Sequence, residues 1–566
     1  MFGATISANP LKLDVRSHTK CILICFVATV STFQYGLDYA LVGGFLSYVH
    51  ESTAHFYVGY PKADTVNSMP GFLEVYGYYD AELKSWNIDP VVQQLISSLM
   101  TIGTFIGSLL VGPFSSKFGR KAGLWSASVL NFVATAIMIG TTNLGSLYFA
   151  RLVLGIYSHA FYWISSLIQK IGVSVGWFLT FSQLYVHEVA PAHLRGITFA
   201  VYQCQLSIGS IVGAVVDYGT HDIDNRRAYQ IPLAIFFVAP TIQAVALFFF
   251  PDSPRWLAVQ GREAEAETAL RQLRNSRINE IELRAELNEI KQSTIEQVQG
   301  NKNALFLEMW RGTNLRRTLL SIAVACFHSA NGSSWVTIYT TYYLQIAGVS
   351  NPFAFSILMT GIGLIAAIIS SLFVRYIDRR AIMIVGTSVC GLAQLAQAIA
   401  WTVSPGSAVT ATVIIVFNGV FVFVYVAYSP FAWLLAGEYP NSALRGYCFG
   451  FATAVNFLGY FIGTLTAPYF INPASLNWGP RYGYIWFASN VIVAVFAYLF
   501  LPETRNRTLE EIHEMFENKV PARKFKTYVC VGVESYAAAV EKGSVQHEEL
   551  GTTRNVTSSG TGSGKG

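Results

Sequence analysis

Long apolar runs separated by short polar segments dominate the chain. Twelve of these runs are long enough to cross a bilayer, since a membrane-spanning helix needs about 20 predominantly apolar residues. The runs lie at 21–47, 92–113, 123–141, 146–186, 197–217, 231–250, 318–346, 352–374, 381–402, 409–437, 446–471 and 480–501. The pattern predicts an all-α membrane protein whose twelve spans fall into two groups of six.

The polar segments divide the chain into five predicted parts. A cytosolic segment at 1–20 precedes a six-helix bundle at 21–250 and a linker at 251–317, and a second bundle at 318–501 precedes a cytosolic tail at 502–566. Charges of alternating sign in the linker predict amphipathic helices on the cytoplasmic side. The low-complexity end of the tail is predicted to be disordered.

The composition is that of a membrane protein. Hydrophobic residues make up 52% of the chain and charged residues 13%, whereas soluble domains carry about 25% charged residues. The net charge of +5 is scattered over short loops, which argues against a nucleic-acid partner. The cysteines have neither a disulfide framework nor a metal-binding spacing, so no metal and no cofactor is predicted.

Basic residues cluster on one predicted side of the membrane. They follow the second, sixth and eighth spans, at 117–121, 255–277 and 375–380. Short loops rich in Lys and Arg stay cytoplasmic. The even-numbered spans are therefore predicted to end inside the cell, and both termini to be cytosolic.

One carboxylate, Asp38, lies in the middle of the first span, within FQYGLDYALVGGF. A charge at membrane depth costs at least ~2.5–3.5 kcal/mol on insertion scales, so it usually faces a cavity or a partner. Asp38 is therefore a candidate proton or cation site. A structural ion pair or a chance polar residue is the alternative.

Three motifs recur at corresponding places in the two groups of spans. A Glu, six residues, an Arg and a Gly follow span four at Glu188–Gly196 and span ten at Glu438–Gly446. GPFSSKFGRK and VRYIDRR follow spans two and eight, and PDSPRWL and PETRNRTLEEI follow spans six and twelve. Such internal repeats are typical of transporters that rock two pseudo-symmetric bundles about a midplane site.

The repeated charges predict a cytoplasmic gate. A carboxylate at the end of one helix can bridge to an arginine on its neighbour, and the two-pronged Arg–carboxylate geometry makes the bridge directional. Ordinary anchoring of charges at the membrane interface is the alternative. The candidate gate residues are Lys117, Gly119, Arg120, Glu188, Arg195, Arg255, Asp378, Arg379, Arg380, Glu438, Arg445 and Glu503.

From about Cys21 to Phe516 these motifs resemble those of the sugar porter family of the major facilitator superfamily, and of its fungal members in particular. The resemblance implies two six-helix bundles around a central sugar site, with either uniport or proton symport. It also implies a proton-coupling role for Asp38, in Gly36-Leu37-Asp38, with Arg151 of ARLVLG as its partner.

The resemblance further implies which residues bind sugar. Gln203 matches a glutamine of span five, Trp433 a tryptophan of span ten, and Asn456-Phe457 a polar–aromatic pair of span eleven. Amide groups offer donors and acceptors to sugar hydroxyls. His328, Ser329 and Ser334 of span seven are expected to join them.

Several positions depart from the family pattern. His328 and Ser329 replace two glutamines of span seven, Ser210 replaces a glutamine of span five, and Tyr428 replaces a tryptophan of span ten. These changes question a simple hexose assignment. His328 is interpreted as a substrate contact, a packing residue or a second protonation site.

The resulting prediction is a monomeric secondary transporter in the plasma membrane. It imports a hexose, a pentose or a disaccharide together with protons. A facilitative uniporter is the main alternative, and a transporter-like sugar sensor that signals through the tail is another. An enzyme is not predicted, because no nucleophile–base set or phosphate loop stands out.

Two segments are longer than a twelve-span chain needs. From Arg151 to Glu188 there are 37 steps (188 − 151), or ~55 Å of helix at ~1.5 Å per residue, against a hydrocarbon core of ~30 Å. Removing Ile156–Gly172 leaves one crossing. Together with Tyr48–Ser68, this segment is interpreted as a translated intron, and a genuine extracellular elaboration is the alternative.

Overall fold

The structure of the chain is a computed structural model. The residues that it describes are 19–45, 70–80, 85–87, 89–155, 175–190, 195–220, 223, 225–274, 283–284, 286–287, 290, 305–341, 344, 351–373, 376–441, 444–471, 476–505, 507, 509–528 and 530. The proposed intron segments 48–68 and 156–172 therefore lie outside the described residues, as do most of 1–20 and the end of the tail.

Helices account for almost all of the regular structure described. In the first half, the spans consist of Thr19–Ala28 with Val30–Phe45, Pro90–Phe118, Arg120–Gly140, Leu144–Gly155 with Val175–Val189, Arg195–Thr220, and Arg227–Ile235 with Val238–Leu247. In the second half, they consist of Gly312–Ala330 with Ser333–Ile338, Pro352–Phe373, Arg379–Val403, Ala408–Glu438, Arg445–Ile471, and Gly483–Phe500.

Ten helical segments among the described residues are long and apolar enough to cross a membrane. The other two predicted spans are the interrupted ones, span four at Leu144–Gly155 and Val175–Val189 and span seven at Gly312–Ala330 and Ser333–Ile338. Apolar side chains as large as Phe249 lie exposed on the outer surface, as expected for a lipid-facing wall. The predicted α-helical membrane fold is confirmed, apart from one short pair of strands outside the spans.

Shorter elements lie outside the spans. The helix Pro70–Tyr76 and the antiparallel strands Tyr78–Asp80 and Ser85–Asn87 precede span two. The helices Pro254–Val259 and Glu263–Leu273 follow span six, Leu305–Glu308 precedes span seven, and Leu509–Glu517 follows span twelve. Single turns of 3-10 helix lie at Gly479–Tyr482 and Ala522–Lys524.

Small residues let spans of the same half approach closely. A Cβ atom on Gly36 would lie 2.0 Å from the carbonyl oxygen of Leu206, and one on Gly209 would lie 2.1 Å from that of Phe33. Glycine at both positions therefore brings the backbones of spans one and five into contact. This contact fixes the segment that carries Asp38.

The same device joins the two halves. A Cβ atom on Gly450 of span eleven would lie 3.1 Å from the carbonyl oxygen of Ser108 in span two, and one on Gly112 would lie 2.9 Å from the ring of Tyr447. Both contacts lie toward the end of the bundle that carries Arg120 and Arg379, which we call the arginine-rich end. The halves are therefore closed against each other there.

Span seven is broken between its two helices. Gly332 has a φ of 82°, a left-handed conformation that glycine adopts without strain. The hydroxyl of Ser489 donates to the carbonyl of Ala330 over 2.6 Å, and the amides of Gln394 and Asn490 donate to that of Asn331 over 3.2 and 3.1 Å. Spans nine and twelve thus satisfy the carbonyls that the break leaves free.

The two pieces of span four lie in sequence along span two. Arg151 Nε donates to the carbonyl of Ile96 over 3.1 Å, and Trp177 Nε1 donates to that of Gly107 over 3.0 Å. The acceptors are 11 residues apart (107 − 96), ~16 Å along a helix. The donors are 26 residues apart (177 − 151). Without the 17 residues of Ile156–Gly172 they would be nine residues apart, or ~13 Å along a helix, which is close to the separation of the acceptors.

Candidate functional site

A small cavity lies between the two halves, near the middle of the spans. The space open to the centre of a water molecule is about 40 Å³, room for on the order of three waters. The cavity is lined by Tyr35, Leu179, Gln183, Tyr202, Gln203, Leu206, His328, Tyr425, Ser429, Trp433, Thr453, Asn456, Phe457 and Tyr460. In this conformation the side chains are packed inward around the centre.

Amide groups on both halves face this space. Gln203 of span five accepts a hydrogen bond on Oε1 from the hydroxyl of Ser429 over 3.1 Å. Asn456 of span eleven is fully buried, and neither of its amide atoms has a partner among the described residues. A buried unpaired polar group costs about 1–3 kcal/mol, so Asn456 is suited to a ligand that brings hydroxyl groups.

His328 and Trp433 form a stacked pair on one wall. Their ring centroids lie 4.9 Å apart with an angle of 25° between the planes. His328 Nδ1 and the hydroxyl of Tyr425 share a hydrogen bond of 3.2 Å. His328 Nε2 is buried and has no partner among the described residues. The imidazole thus contacts the aromatic face expected to carry the sugar.

Two of the predicted sugar contacts do not line the cavity. Ser329 Oγ donates to the carbonyl of Cys326 over 3.1 Å. A Cβ atom on Gly459 would lie 2.5 Å from this oxygen, and one on Gly463 would lie 2.4 Å from Ser334 Oγ. Ser329 and Ser334 therefore fill the seam between spans seven and eleven, where glycines make room for them.

The motifs did not predict a group of tyrosines beside the cavity. The hydroxyls of Tyr35 and Tyr39 share a hydrogen bond of 2.5 Å, and those of Tyr425 and Tyr460 share one of 3.1 Å. Ser333 Oγ also lies 2.7 Å from the hydroxyl of Tyr460. Tyr35 and Tyr39 flank Asp38 one helical turn apart, the only signal of their position that the sequence offers.

Asp38 and Arg151 form a buried ion pair. Arg151 Nη1 lies 2.6 Å from Asp38 Oδ1, and Nη2 lies 3.4 Å from Oδ2. The exposed fractions of the two residues are 1% and 3%. Through the bond of Arg151 to Ile96, spans one, two and four meet at one guanidinium.

Glu188 forms an ion pair within the first half. Arg120 of span three donates to Glu188 Oε1 from Nη2 over 2.6 Å and from Nε over 3.0 Å. Arg120 Nη1 also donates to the carbonyl of Ser115 over 2.9 Å. The pair ties the ends of spans three and four to the end of span two.

Glu438 forms the corresponding pair within the second half. Its carboxylate accepts from Arg379 Nη1 and, over 3.0 Å, from the hydroxyl of Thr504. Arg379 Nη1 lies 3.0 Å from the same hydroxyl. The two Glu–Arg pairs therefore occupy equivalent positions in the two repeats.

The third repeated motif places a carboxylate at a helix N-terminus in each half. Glu503 accepts from the backbone N–H groups of Arg379 and Arg380 over 3.2 and 2.9 Å, and Asp252 accepts from that of Lys121 over 3.4 Å. These carboxylates interact favourably with the helix dipole. Burial raises the pKa of Asp252 above its usual value, and sequence reasoning did not select that residue.

The remaining candidate gate residues have different surroundings. Gly119 turns the chain between spans two and three with a φ of 86°. Arg445 is buried, Arg255 is half-buried and Lys117 is exposed. The side chain of Arg195 lies outside the described residues.

Asp378 belongs to a separate charged group. Arg505 and Lys526 donate to its carboxylate over 2.8 and 2.7 Å. The Lys526 and Arg505 contacts lower the pKa of Asp378 below its usual value. The cluster attaches the segment after span twelve to the loop before span nine.

A helical membrane bundle with internally repeated charge motifs, and with a cavity between its halves lined by amide and aromatic side chains, is the architecture of a transporter of the major facilitator class. The sequence profile of the family described as "Sugar (and other) transporter" matches residues 24–516. The chain belongs to this family, so the predicted sugar porter resemblance is confirmed. The family consists of transporters rather than enzymes.

Several similar curated proteins come from fungi. The chain is 25% identical over 89% of its length to "High glucose sensor RGT2" of Saccharomyces cerevisiae, of which it spans 62%. It is 24% identical over 93% of its length to "Low-affinity glucose transporter" of Kluyveromyces lactis, of which it spans 87%. It is 24% identical over 78% of its length to "High-affinity fructose transporter ght6" of Schizosaccharomyces pombe, of which it spans 80%.

Among solved structures, the proton:xylose symporter XylE bound to 6-bromo-6-deoxy-D-glucose has a similar fold. The TM-score is 0.67 at 20% identity, with 88% of this chain and all of that chain (100%) covered. A partially occluded inward-open conformation of XylE from E. coli gives 0.62 at 19% identity, covering 87% of this chain and 100% of that chain. At these identities the likeness shows the fold alone.

Proposed function

We propose that the protein imports a neutral sugar across the plasma membrane together with protons. The single observation that carries the proton-coupling part is the buried ion pair between Asp38 and Arg151. A buried ion pair often stabilises a protein no more than an apolar replacement would, whereas removing one of the two charges is costly. We therefore assign this pair a role in coupling and not in stability.

Protonation of Asp38 is the proposed coupling step. The proton enters on a carboxylate oxygen and neutralises the charge that Arg151 holds at 2.6 Å. Arg151 stays bonded to span two through Ile96. Spans two and four therefore remain tied while span one is released. This local release is the proposed trigger for rearrangement of the first half.

The cavity residues support a sugar as the substrate. Gln203, Asn456 and His328 contribute polar atoms, and Trp433 contributes an aromatic ring. None of the cavity residues carries a carboxylate, a lysine or an arginine among the lining residues described. A neutral polyhydroxylated molecule matches this set better than a charged one. The cavity must widen to admit it.

The gate, the orientation and the oligomeric state complete the proposal. The Glu188–Arg120 and Glu438–Arg379 pairs hold the arginine-rich end closed and part when it opens. This end faces the cytosol because it is rich in basic residues, which makes both termini cytosolic. The cavity lies between the halves of one chain, so one copy forms the complete site and we propose a functional monomer.

The test is uptake of a panel of radiolabelled hexoses, pentoses and disaccharides by transporter-null cells that express the protein. The proposal expects concentrative uptake of at least one sugar, and loss of accumulation when a protonophore is added. Uptake that equilibrates without accumulating, and that the protonophore leaves unchanged, would favour the facilitative uniporter instead.

A sugar sensor is a second candidate because one relative is named a high glucose sensor. A sensor requires sugar binding without net flux. Binding of a sugar by purified protein, together with no uptake of that sugar in the cell assay, would support the sensor and contradict the importer.

A further inference from the structure

The residue before the gate glutamate differs between the two repeats. When Glu188 is superimposed on Glu438 in the repeated motif, His187 takes the position of Gly437. One half therefore carries an imidazole where the other half has no side chain.

These two residues meet in space. A Cβ atom on Gly437 would lie 2.2 Å from Nε2 and 2.4 Å from Cε1 of His187. Real Cβ atoms do not approach so closely. The imidazole of His187, which is 2% exposed, therefore occupies the volume that any other residue at position 437 would need.

His187 also packs against aromatic rings of both halves. Its ring centroid lies 4.4 Å from that of Phe199 in its own half and 5.7 Å from that of Phe449 in span eleven. The imidazole is thus inserted from span four into the second half at the arginine-rich end.

This contact differs from the gate ion pairs in one respect. The Glu188–Arg120 and Glu438–Arg379 pairs each lie within one half, whereas the His187–Gly437 contact crosses between the halves. Separation of the halves at this end must withdraw His187 from Gly437, whereas the ion pairs part through rearrangement of helices within each half.

We propose that the side chain of His187, packed against Gly437, blocks the arginine-rich end, and that the fit between the two residues sets how readily this end opens. We call the His187 side chain in this position the plug. His187 acts here as a positioning residue. The inference rests on the proposed alternating opening of the two ends, and it concerns neither the proton site nor the sugar contacts.

The first test is a rescue experiment on transport of the sugar that the wild type carries. Gly437→Ala places a methyl group inside the imidazole's volume and should lower the uptake rate about five- to hundredfold, the scale of overpacking. The double variant His187→Gly/Gly437→Ala should recover to within about twofold of His187→Gly alone, as expected for directly coupled residues.

Gly361→Ala is the matched control. Gly361 lies inside the helix Pro352–Phe373, and a Cβ atom there would meet nothing within 4 Å. Its uptake should equal that of the wild type. A wild-type rate for Gly437→Ala, or a double variant no faster than Gly437→Ala, would overturn the proposal.

A second measurement needs no substrate and separates a gating role from a merely structural one. Hydrogen–deuterium exchange is measured on the full-length wild type and on His187→Gly, both in lipid nanodiscs. At Ser108–Ser115 and Tyr447–Ala454, near the plug, exchange should be faster in His187→Gly than in the wild type. Exchange around Ser97 and Tyr339 at the opposite end, whose hydroxyls share a hydrogen bond of 2.8 Å, should not change.

Equal exchange in the two proteins, or an increase at both ends, would contradict the plug. Failure of the proposed sugar import is seen separately, as absence of uptake by the wild type itself.

Discussion

Arg151 holds Asp38 at 2.6 Å and the carbonyl of Ile96 at 3.1 Å with one guanidinium, and all three residues are buried. We propose that the pair acts as a switch, because a proton on Asp38 would remove the charge that strengthens the first contact and would leave the second unchanged. Removal of either side chain leaves the charge of the other one buried and unpaired.

The cost of a stranded charge gives a stability prediction. Arg151→Gln should lower the free energy of unfolding by about 3–5 kcal/mol, because it leaves the Asp38 carboxylate buried and unpaired. The double variant Asp38→Asn/Arg151→Gln should regain most of this loss. Thermal unfolding of the detergent-solubilised proteins measures both values. A double variant less stable than Arg151→Gln would contradict the account of this pair.

The gate pairs predict a separation of binding from turnover. Glu438→Gln should reduce the transport rate by about tenfold or more, since it removes a charge-assisted hydrogen bond worth about 1.5–3 kcal/mol. It should change the dissociation constant for sugar little, because Glu438 lies outside the cavity.

Binding and uptake measured on the same preparation test this prediction. Glu265→Gln is the control, since its pair with Arg262 is solvent-exposed and worth little. Weakened binding with an unchanged turnover in Glu438→Gln would contradict the gate.

The stacked rings of His328 and Trp433 predict which residue sets the affinity for sugar and which sets the preference among sugars. Trp433→Ala should raise the dissociation constant for sugar by about tenfold, because it removes the aromatic face on which the sugar is expected to lie. A tenfold change corresponds to about 1.4 kcal/mol of binding free energy. His328→Gln should change the ranking of sugars, because it removes the ring stacked on Trp433 and supplies an amide. Competition binding with the sugar panel measures both effects. An unchanged ranking would return His328 to a packing role.

Span periodicity predicted the fold well, and the exceptions have physical causes. Each apolar run is dictated by the hydrocarbon core and so is visible locally. The break in span seven was not visible, because it depends on Ser489 and Asn490 of span twelve satisfying carbonyls of Ala330 and Asn331. Such compensation comes from residues distant in sequence.

The candidate site was predicted only in part, again because some side-chain positions depend on residues distant in sequence. Gln203, Trp433 and Asn456 lie in motifs and line the cavity. Ser329 and Ser334 were assigned by sequence position, whereas the direction of their side chains depends on Gly459 and Gly463 in another span. The tyrosines of spans one, ten and eleven belong to no motif, and only their assembly in space connects them.

The two pieces of span four predict that Ile156–Gly172 is dispensable. Deletion of this segment should preserve sugar uptake, because Arg151 and Trp177 would then be joined by a helix matching their contacts on span two. Sequencing of the messenger RNA is the complementary measurement. Transcripts that retain both this segment and Tyr48–Ser68, and that give a protein that still transports sugar, would contradict the intron interpretation.

Proton movement during sugar entry tests the central claim most directly. Purified protein in liposomes that contain a pH-sensitive dye should acidify the lumen when a transported sugar is added outside. Asp38→Asn should still carry out sugar exchange but produce no acidification and no accumulation against a gradient. Acidification by Asp38→Asn equal to that of the wild type would contradict proton coupling through Asp38.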